Sequence, residues 1–124
     1  MGKVALLVDD SPTTRVQFAR ALKQYGLEVV TADSAEAALE LLESGLEADL
    51  LISDQYMEGA TGTELAQRAR ALPAFGNRPI VIMTATVSSE FVEQARAARA
   101  SGFMRKPISQ GQLQSLLDSL LGAA

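Results

Sequence analysis

Short, uninterrupted apolar runs alternate five times with longer stretches of helical period, and this alternation constrains the fold of the chain most strongly. The clearest run is Val4 to Val8. Runs without polar positions suit strands that are covered on both faces, as in a parallel sheet. Right-handed crossovers then place helices on both faces of that sheet. The pattern predicts a doubly wound α/β fold with five parallel strands and five helices, although it does not fix the strand order.

Turn and capping residues set the boundaries that we predict for these elements. The other predicted strands are Leu27 to Thr31, Asp49 to Ser53 with Asp54 at its end, Ile80 to Met83 with Thr84 at its end, and Gly102 to Met104. The first predicted helix has Ser11 as its cap and Pro12 as its first residue, and it ends at Gly26. The second begins with a capping box of Asp33 and Glu36 and ends at Gly45, and the third runs from about Thr63 to Leu72. The fourth is capped by Ser88 and runs from Ser89 to about Ala100, and the last begins with a capping box of Ser109 and Gln112. Val16, Ala19 and Leu22 are expected to form the apolar stripe of the first helix, and Arg68, Arg70, Arg96 and Arg99 to be solvated.

Composition limits both the number of domains and the chemistry. The 124 residues suit one domain, residues 1–124 with a core of about 3–121, and 48% of them are apolar. A formal net charge of -4 argues against nucleic acid or an anionic membrane as the main partner. Without histidine or cysteine, the chain has no catalytic triad, thiolate zinc site or phosphohistidine of its own. No apolar stretch approaches the roughly 20 residues of a spanning helix, so we expect a cytoplasmic protein.

Polar residues follow four of the predicted strands. Asp9 and Asp10 follow the first, Asp54 the third, Thr84 the fourth and Lys106 the fifth. Ligands of open parallel sheets bind at the carboxyl ends of the strands, so these side chains are expected to meet at one edge. Taken singly, each has an ordinary interpretation as a turn, capping or solvated residue. Their joint placement favours a functional site.

The chemistry of this set suits phosphoryl transfer. Three neighbouring carboxylates repel one another, and either a raised pKa or a hard cation such as Mg²⁺ relieves the repulsion. An ammonium and a hydroxyl opposite them supply charge neutralisation and a hydrogen bond to phosphoryl oxygens. An aspartate can itself act as the nucleophile.

At these residues the sequence resembles the receiver domains of two-component signalling, the CheY-like family. The resemblance covers Lys3 to Leu121. The motifs that carry it are Leu6 to Asp10, Asp54 to Met57 with Gly62 downstream, Met83 to Ala85, and Phe103 to Pro107. It implies the strand order 2-1-3-4-5.

The resemblance also implies a role for each site residue. Asp54 would accept a phosphoryl group. Asp10, Asp54 and the backbone carbonyl of Tyr56 would bind Mg²⁺, with Asp9 acting largely through a metal-bound water. Lys106 and Thr84 would stabilise the phosphoryl group. Thr84 and Phe103 would form the switch that changes the surface of helix 4, strand 5 and helix 5.

The implied partners follow from the same roles. A histidine kinase or a phosphotransfer protein would donate the phosphoryl group, and a downstream protein would bind the switched surface. The chain would act without an attached effector domain, as a monomer or a phosphorylation-linked dimer. It would not be an enzyme beyond its own phosphorylation and dephosphorylation.

The sequence departs from the family pattern at three places. Glu58 stands where a proline is usual, so the loop should be less rigid and an extra acid lies near the site. Arg99 stands where a glycine is usual, and we expect Gly102 close by to relieve that turn instead. Tyr56 and Thr86 occupy the variable positions that tend to set the dephosphorylation rate, so that Tyr56, Thr86 and Glu58 are candidate rate-modulating residues.

Two rival functions stay open at this point. A degenerate receiver would bind a protein constitutively without being phosphorylated, and Glu58 keeps that alternative open. A phosphatase of the haloacid dehalogenase type needs an aspartate two residues after its nucleophile, whereas Ser11 and Pro12 follow Asp9 and Asp10 at that spacing.

Overall fold

The computed structural model describes residues 3–122, apart from the side chain of residue 74. The five strands are Val4–Val8 (β1), Glu28–Ala32 (β2), Leu50–Asp54 (β3), Ile80–Thr84 (β4) and Gly102–Arg105 (β5). The five α-helices are Pro12–Tyr25 (α1), Ala35–Glu43 (α2), Gly62–Arg70 (α3), Ser89–Ala97 (α4) and Gln110–Leu121 (α5), with a 3₁₀ turn at Pro73–Phe75.

All strand pairs are parallel and the sheet order is β2-β1-β3-β4-β5, which confirms the predicted fold class. Alternate strand residues face opposite helical layers. Leu6 and Ile82 pack with α2, α3 and α4, whereas Leu7 and Met83 pack with α1 and α5. Because β1 and β3 are neighbours and β4 lies next to β3, the carboxyl ends of these three strands lie side by side.

The second helix begins at a different residue from the one expected. The predicted capping box of Asp33 and Glu36 is wrong, because Ser34 is the cap and its hydroxyl accepts from the Ala37 amide at 3.0 Å. Pairing of β2 with β1 extends through Ala32, whose carbonyl accepts from the Asp9 amide at 3.1 Å, and this moves the helix start along the chain.

The turn after α4 corrects a second expectation. Helix α4 ends at Ala97 rather than near Ala100, and Arg99 itself adopts the left-handed conformation with φ 58°. The Ala100 amide closes the turn by donating to the Ala95 carbonyl at 3.0 Å. Gly102 therefore does not relieve this turn, and Arg99 occupies a conformation that glycine adopts more easily.

Two side chains of the helices also differ from expectation. Val16 does not join the apolar stripe of α1: it is 58% exposed and lines an open depression beside Arg20 and Thr31. Arg70 is not a solvated helix residue, because its guanidinium donates to the backbone carbonyls of Phe75, Gly76, Arg78 and Arg99. Arg70 thus connects the end of α3 to the turns that flank β4.

No helix within residues 3–122 combines the length and apolarity needed to cross a bilayer. The cytoplasmic location stays a prediction.

Candidate functional site

The ends of β1 and β3 bring three carboxylates together. Asp9 and Asp10 follow β1, Asp54 is the last residue of β3, and one carboxylate oxygen of each lies within 4.8 Å of the others. We call Asp9, Asp10 and Asp54 the acid pocket. Asp9 is fully buried, Asp54 is partly buried and Asp10 is exposed, so the pocket opens to solvent on the side of Asp10.

Lys106 is the cation of this site. Its ammonium nitrogen lies 3.1 Å from Asp54 Oδ1 and 3.8 Å from Asp9 Oδ2. The lysine is placed there by the sheet, because the Lys106 amide continues the β4–β5 pairing by donating to the Thr84 carbonyl at 2.8 Å. Burial raises the pKa of the Asp54 carboxyl above its usual value of 3.8; Lys106 opposes that rise, and Asp9 and Asp10 reinforce it.

The acid pocket fits a hard divalent cation. Asp9 Oδ1 accepts from the Ser11 amide at 2.9 Å, whereas the fully buried Asp9 Oδ2 accepts no hydrogen bond from any described residue. A buried carboxylate oxygen without a donor is costly unless a cation or water satisfies it. Oxygen ligands from few carboxylates suit Mg²⁺, and Asp9, Asp10 and Asp54 are the residues that would hold it.

The loop from β3 to α3 borders the acid pocket. The Glu58 amide donates to Asp10 Oδ2 at 3.1 Å, and the Ala60 amide donates to Glu36 Oε2 of α2 at 3.4 Å. Gly62 closes the loop against β3, since a Cβ at this position would lie 2.5 Å from the Asp54 carbonyl oxygen. The structure thus places Glu58 beside the acid pocket. Tyr56 is 59% exposed, and its carbonyl stays a predicted metal ligand.

Thr84 ends β4 next to the acid pocket but is engaged with its own loop. It is 1% exposed, its hydroxyl donates to the Thr86 carbonyl at 3.0 Å, and the Thr86 amide donates back at 3.3 Å. The hydroxyl therefore has to leave this local turn before it can bind a group on Asp54.

Phe103 lies on β5 at the surface between α4 and α5. It is 40% exposed and packs edge-to-face on the buried Phe91 of α4, with ring centroids 5.3 Å apart and planes at 84°. The structure brings Asp9, Asp10, Asp54 and Lys106 into one pocket. It places the Glu58 amide on Asp10, Thr84 at the end of the neighbouring strand with Thr86 bound to its hydroxyl, and Phe103 on the neighbouring surface.

Three residues near the site were not predicted from the sequence to act there. The Arg15 guanidinium donates to the Asp9 carbonyl at 2.7 Å, Glu36 holds the loop amide of Ala60, and Gln55 is a buried polar residue directly after Asp54. An arginine in the first turns of a helix and a glutamate within the next helix carry no distinctive pattern. The one available signal was a glutamine directly after a strand-terminal aspartate.

Comparison with known proteins identifies the family of this chain. The family model described as the response regulator receiver domain matches residues 5–118. The chain is 33% identical over 113 residues to the two-component response regulator ORR6 of Oryza sativa subsp. japonica, covering 90% of this chain and 66% of the rice protein. It is 29% identical over 117 residues to the sensory/regulatory protein RpfC of Xanthomonas campestris, covering 93% of this chain and 16% of that protein.

A solved structure shows the same fold over almost the whole chain. The chemotaxis protein CheY4 of Vibrio cholerae superposes with a TM-score of 0.91 and 29% sequence identity, covering 97% of this chain and 99% of CheY4.

Proposed function

This chain belongs to the response-regulator receiver domains of two-component systems, and we propose that its Asp54 accepts a phosphoryl group from a phosphohistidine on a histidine kinase or phosphotransfer protein. Receiver domains are signalling modules rather than classical enzymes. One observation carries the proposal: Lys106 Nζ lies 3.1 Å from Asp54 Oδ1, within a pocket that holds two further carboxylates.

In the proposed transfer, an Asp54 carboxylate oxygen attacks phosphorus in line with the departing imidazole nitrogen. The O–P bond forms as the P–N bond breaks, and the electron pair of the P–N bond returns to the imidazole of the donor. Lys106 neutralises charge on the phosphoryl oxygens. When bound, Mg²⁺ supplies additional charge neutralisation beside the same oxygens.

The pocket also controls the protonation of the nucleophile. Burial raises the pKa of Asp54, which disfavours the carboxylate that must attack, and the ammonium of Lys106 counters that effect at 3.1 Å. Lys106 therefore has two proposed roles, namely keeping the nucleophile charged and binding the product.

We propose that phosphorylation is transmitted by Thr84 and Phe103. The Thr84 hydroxyl would exchange its bond to the Thr86 carbonyl for one to a phosphoryl oxygen. Phe103, half-exposed on Phe91, would then turn inward and alter the α4–β5–α5 surface. That surface carries a groove of about 750 Å³ lined by Phe103, Arg105, Gln112 and Leu116, where a downstream protein would bind.

The test is intact-mass spectrometry after incubation with acetyl phosphate and Mg²⁺. We expect wild type to gain one phosphoryl group, Asp54→Ala to gain none, and Asp33→Ala to behave as wild type. Asp33 is the matched control because it is an exposed aspartate that follows β2 at the same edge of the sheet. A wild-type protein that binds Mg²⁺ and yet gains no mass would favour the degenerate, phosphorylation-independent binding module instead.

A further inference from the structure

The side chain of Gln55 makes an unusual set of contacts directly beside the phosphorylation site. It is 1% exposed and follows Asp54 at the point where the chain leaves β3. Its Oε1 accepts from the Thr63 amide at 2.9 Å, and its Nε2 donates to the Thr63 hydroxyl at 3.1 Å and to Gln94 Oε1 at 3.4 Å. When the oxygen and the nitrogen of a buried side-chain amide both make hydrogen bonds, the residue that carries the amide is held in one orientation.

The bond to the Thr63 amide has a specific structural origin. Thr63 is the second residue of α3, and the first amides of a helix have no partner within that helix. The Thr61 hydroxyl caps the Glu64 amide, which leaves the Thr63 amide for Gln55. Gln55 thus acts as an additional cap that attaches the start of the loop to the first turn of α3.

These contacts hold the loop rather than the strand. Asp54 is already fixed by the sheet, because it pairs with Met83 and the Gln55 amide donates to the Met83 carbonyl at 2.8 Å. From Tyr56 onward the chain has left the sheet. The loop is closed by the Gly62 amide, which donates to the Gln55 carbonyl at 2.9 Å, and by the Gln55 side chain on Thr63.

We propose that Gln55 is a positioning residue for Mg²⁺ binding. It would support binding by fixing the loop that carries the Tyr56 carbonyl and borders Asp10. This inference rests on the proposed function, because it assumes that the acid pocket and the Tyr56 carbonyl bind the cation together. The polar atoms of the Gln55 side chain are engaged by Thr63 and Gln94, so Gln55 would not itself bind the cation or the phosphoryl group. It acts through the backbone of Tyr56 and, further along the loop, through the Glu58 amide on Asp10.

The test is isothermal titration calorimetry of the unphosphorylated protein with Mg²⁺. Gln55→Met keeps the length of the side chain and removes its polar atoms, so we expect Mg²⁺ affinity to fall about tenfold, as for other groups that orient metal ligands. Gln67→Met is the matched control, since Gln67 is an exposed glutamine of α3, and its affinity should stay within about twofold of wild type.

A second measurement separates positioning from general destabilisation. At saturating Mg²⁺ and acetyl phosphate, the phosphorylation rate of Gln55→Met should stay within about threefold of wild type, because Asp54 and Lys106 are held by the sheet. Thr63→Val, which keeps the Thr63 amide and loses only its hydroxyl, should show a smaller loss of Mg²⁺ affinity and provides the test if Gln55→Met does not fold.

The outcomes distinguish this inference from the proposed function. Equal Mg²⁺ affinity in folded Gln55→Met and Gln67→Met would overturn the role of Gln55 alone. An affinity loss in Gln94→Met as large as that in Gln55→Met would overturn the attachment of Gln55 to α3 as the means of positioning, because the contact to α4 would then be the important one. A wild-type protein that binds no Mg²⁺ would overturn the proposed function itself.

Discussion

At the scale of single residues, Asp9 is a buried carboxylate of the acid pocket whose environment is unfavourable. It is fully buried, and its Oδ2 accepts no hydrogen bond from the described residues; the nearest cation, Lys106 Nζ, is 3.8 Å away. Asp54 and Asp10 add two further negative charges within 4.8 Å. A buried and poorly compensated carboxylate of this kind lowers the stability of the metal-free protein.

Asp9→Asn should therefore stabilise the metal-free protein by about 1 kcal/mol, because it removes one of three repelling charges and keeps Oδ1 for the Ser11 amide. The same change should reduce the stabilisation gained on adding Mg²⁺. Urea denaturation in EDTA and in Mg²⁺ measures both effects, with Asp33→Asn as the control. A variant that is less stable than wild type in EDTA would contradict this account.

Tyr56 is the residue that we expect to govern the lifetime of the phosphoryl group. Tyr56 is 59% exposed and stands two residues after Asp54, a position from which a bulky side chain can shield an acyl phosphate from water. Tyr56→Asn should shorten the hydrolysis half-life severalfold, whereas Tyr56→Phe should retain it. The loss of phosphoryl mass with time after removal of the donor provides the measurement. A half-life in Tyr56→Asn equal to that of wild type would rule out shielding by the ring.

At the scale of helices and strands, the Arg70 side chain makes contacts that the hydrophobic periodicity of α3 does not predict. As a polar residue near the end of an amphipathic helix, it had the pattern of a solvated side chain. The structure instead directs its guanidinium to four backbone carbonyls and to the Ser101 hydroxyl, across the turns before β4 and after α4. Its acceptors include the Arg99 carbonyl, in the left-handed turn.

Arg70→Met should lower the free energy of unfolding by about 2–3 kcal/mol, because several backbone carbonyls lose a charged donor at once. Arg68→Met on the same helix should change it by less than about 0.5 kcal/mol, since Arg68 is exposed. Chemical denaturation of the two variants makes the comparison. Similar losses in both would show that Arg70 contributes only as an exposed helix residue.

We propose that the whole protein exists in two conformations and that phosphorylation changes their relative populations. The structure has the Thr84 hydroxyl bound to the Thr86 carbonyl and Phe103 half-exposed, which is the arrangement expected without a phosphoryl group. Moving a population from mostly one state to mostly the other requires differential stabilisation of roughly 5 kcal/mol.

Phe103→Trp offers a direct readout of this change, because the chain contains no other tryptophan. We expect its emission to move to shorter wavelength when acetyl phosphate and Mg²⁺ are added together, as the ring leaves solvent. Mg²⁺ alone should have little effect, and the shift should be absent when Asp54→Asn is combined with Phe103→Trp. A shift that persists in the double variant would separate the movement of residue 103 from phosphorylation.

The sequence by itself determined the fold class and the acid pocket. Continuous apolar runs are sufficient to predict buried parallel strands, and the carboxyl ends of such strands meet at one edge. Asp9, Asp10, Asp54 and Lys106 follow directly from that rule, because each stands within two residues of a strand end. The motifs resembling the CheY-like family added the strand order.

Only the tertiary structure decided where side chains between those elements find their partners. The Ser34 cap, the left-handed Arg99, the Arg70 contacts and the attachment of Gln55 to Thr63 all depend on groups brought close by folding. The physical reason is that a backbone amide or carbonyl left unpaired at a helix end or turn is satisfied by whichever side chain lies within hydrogen-bonding distance. Local pattern does not encode that distance.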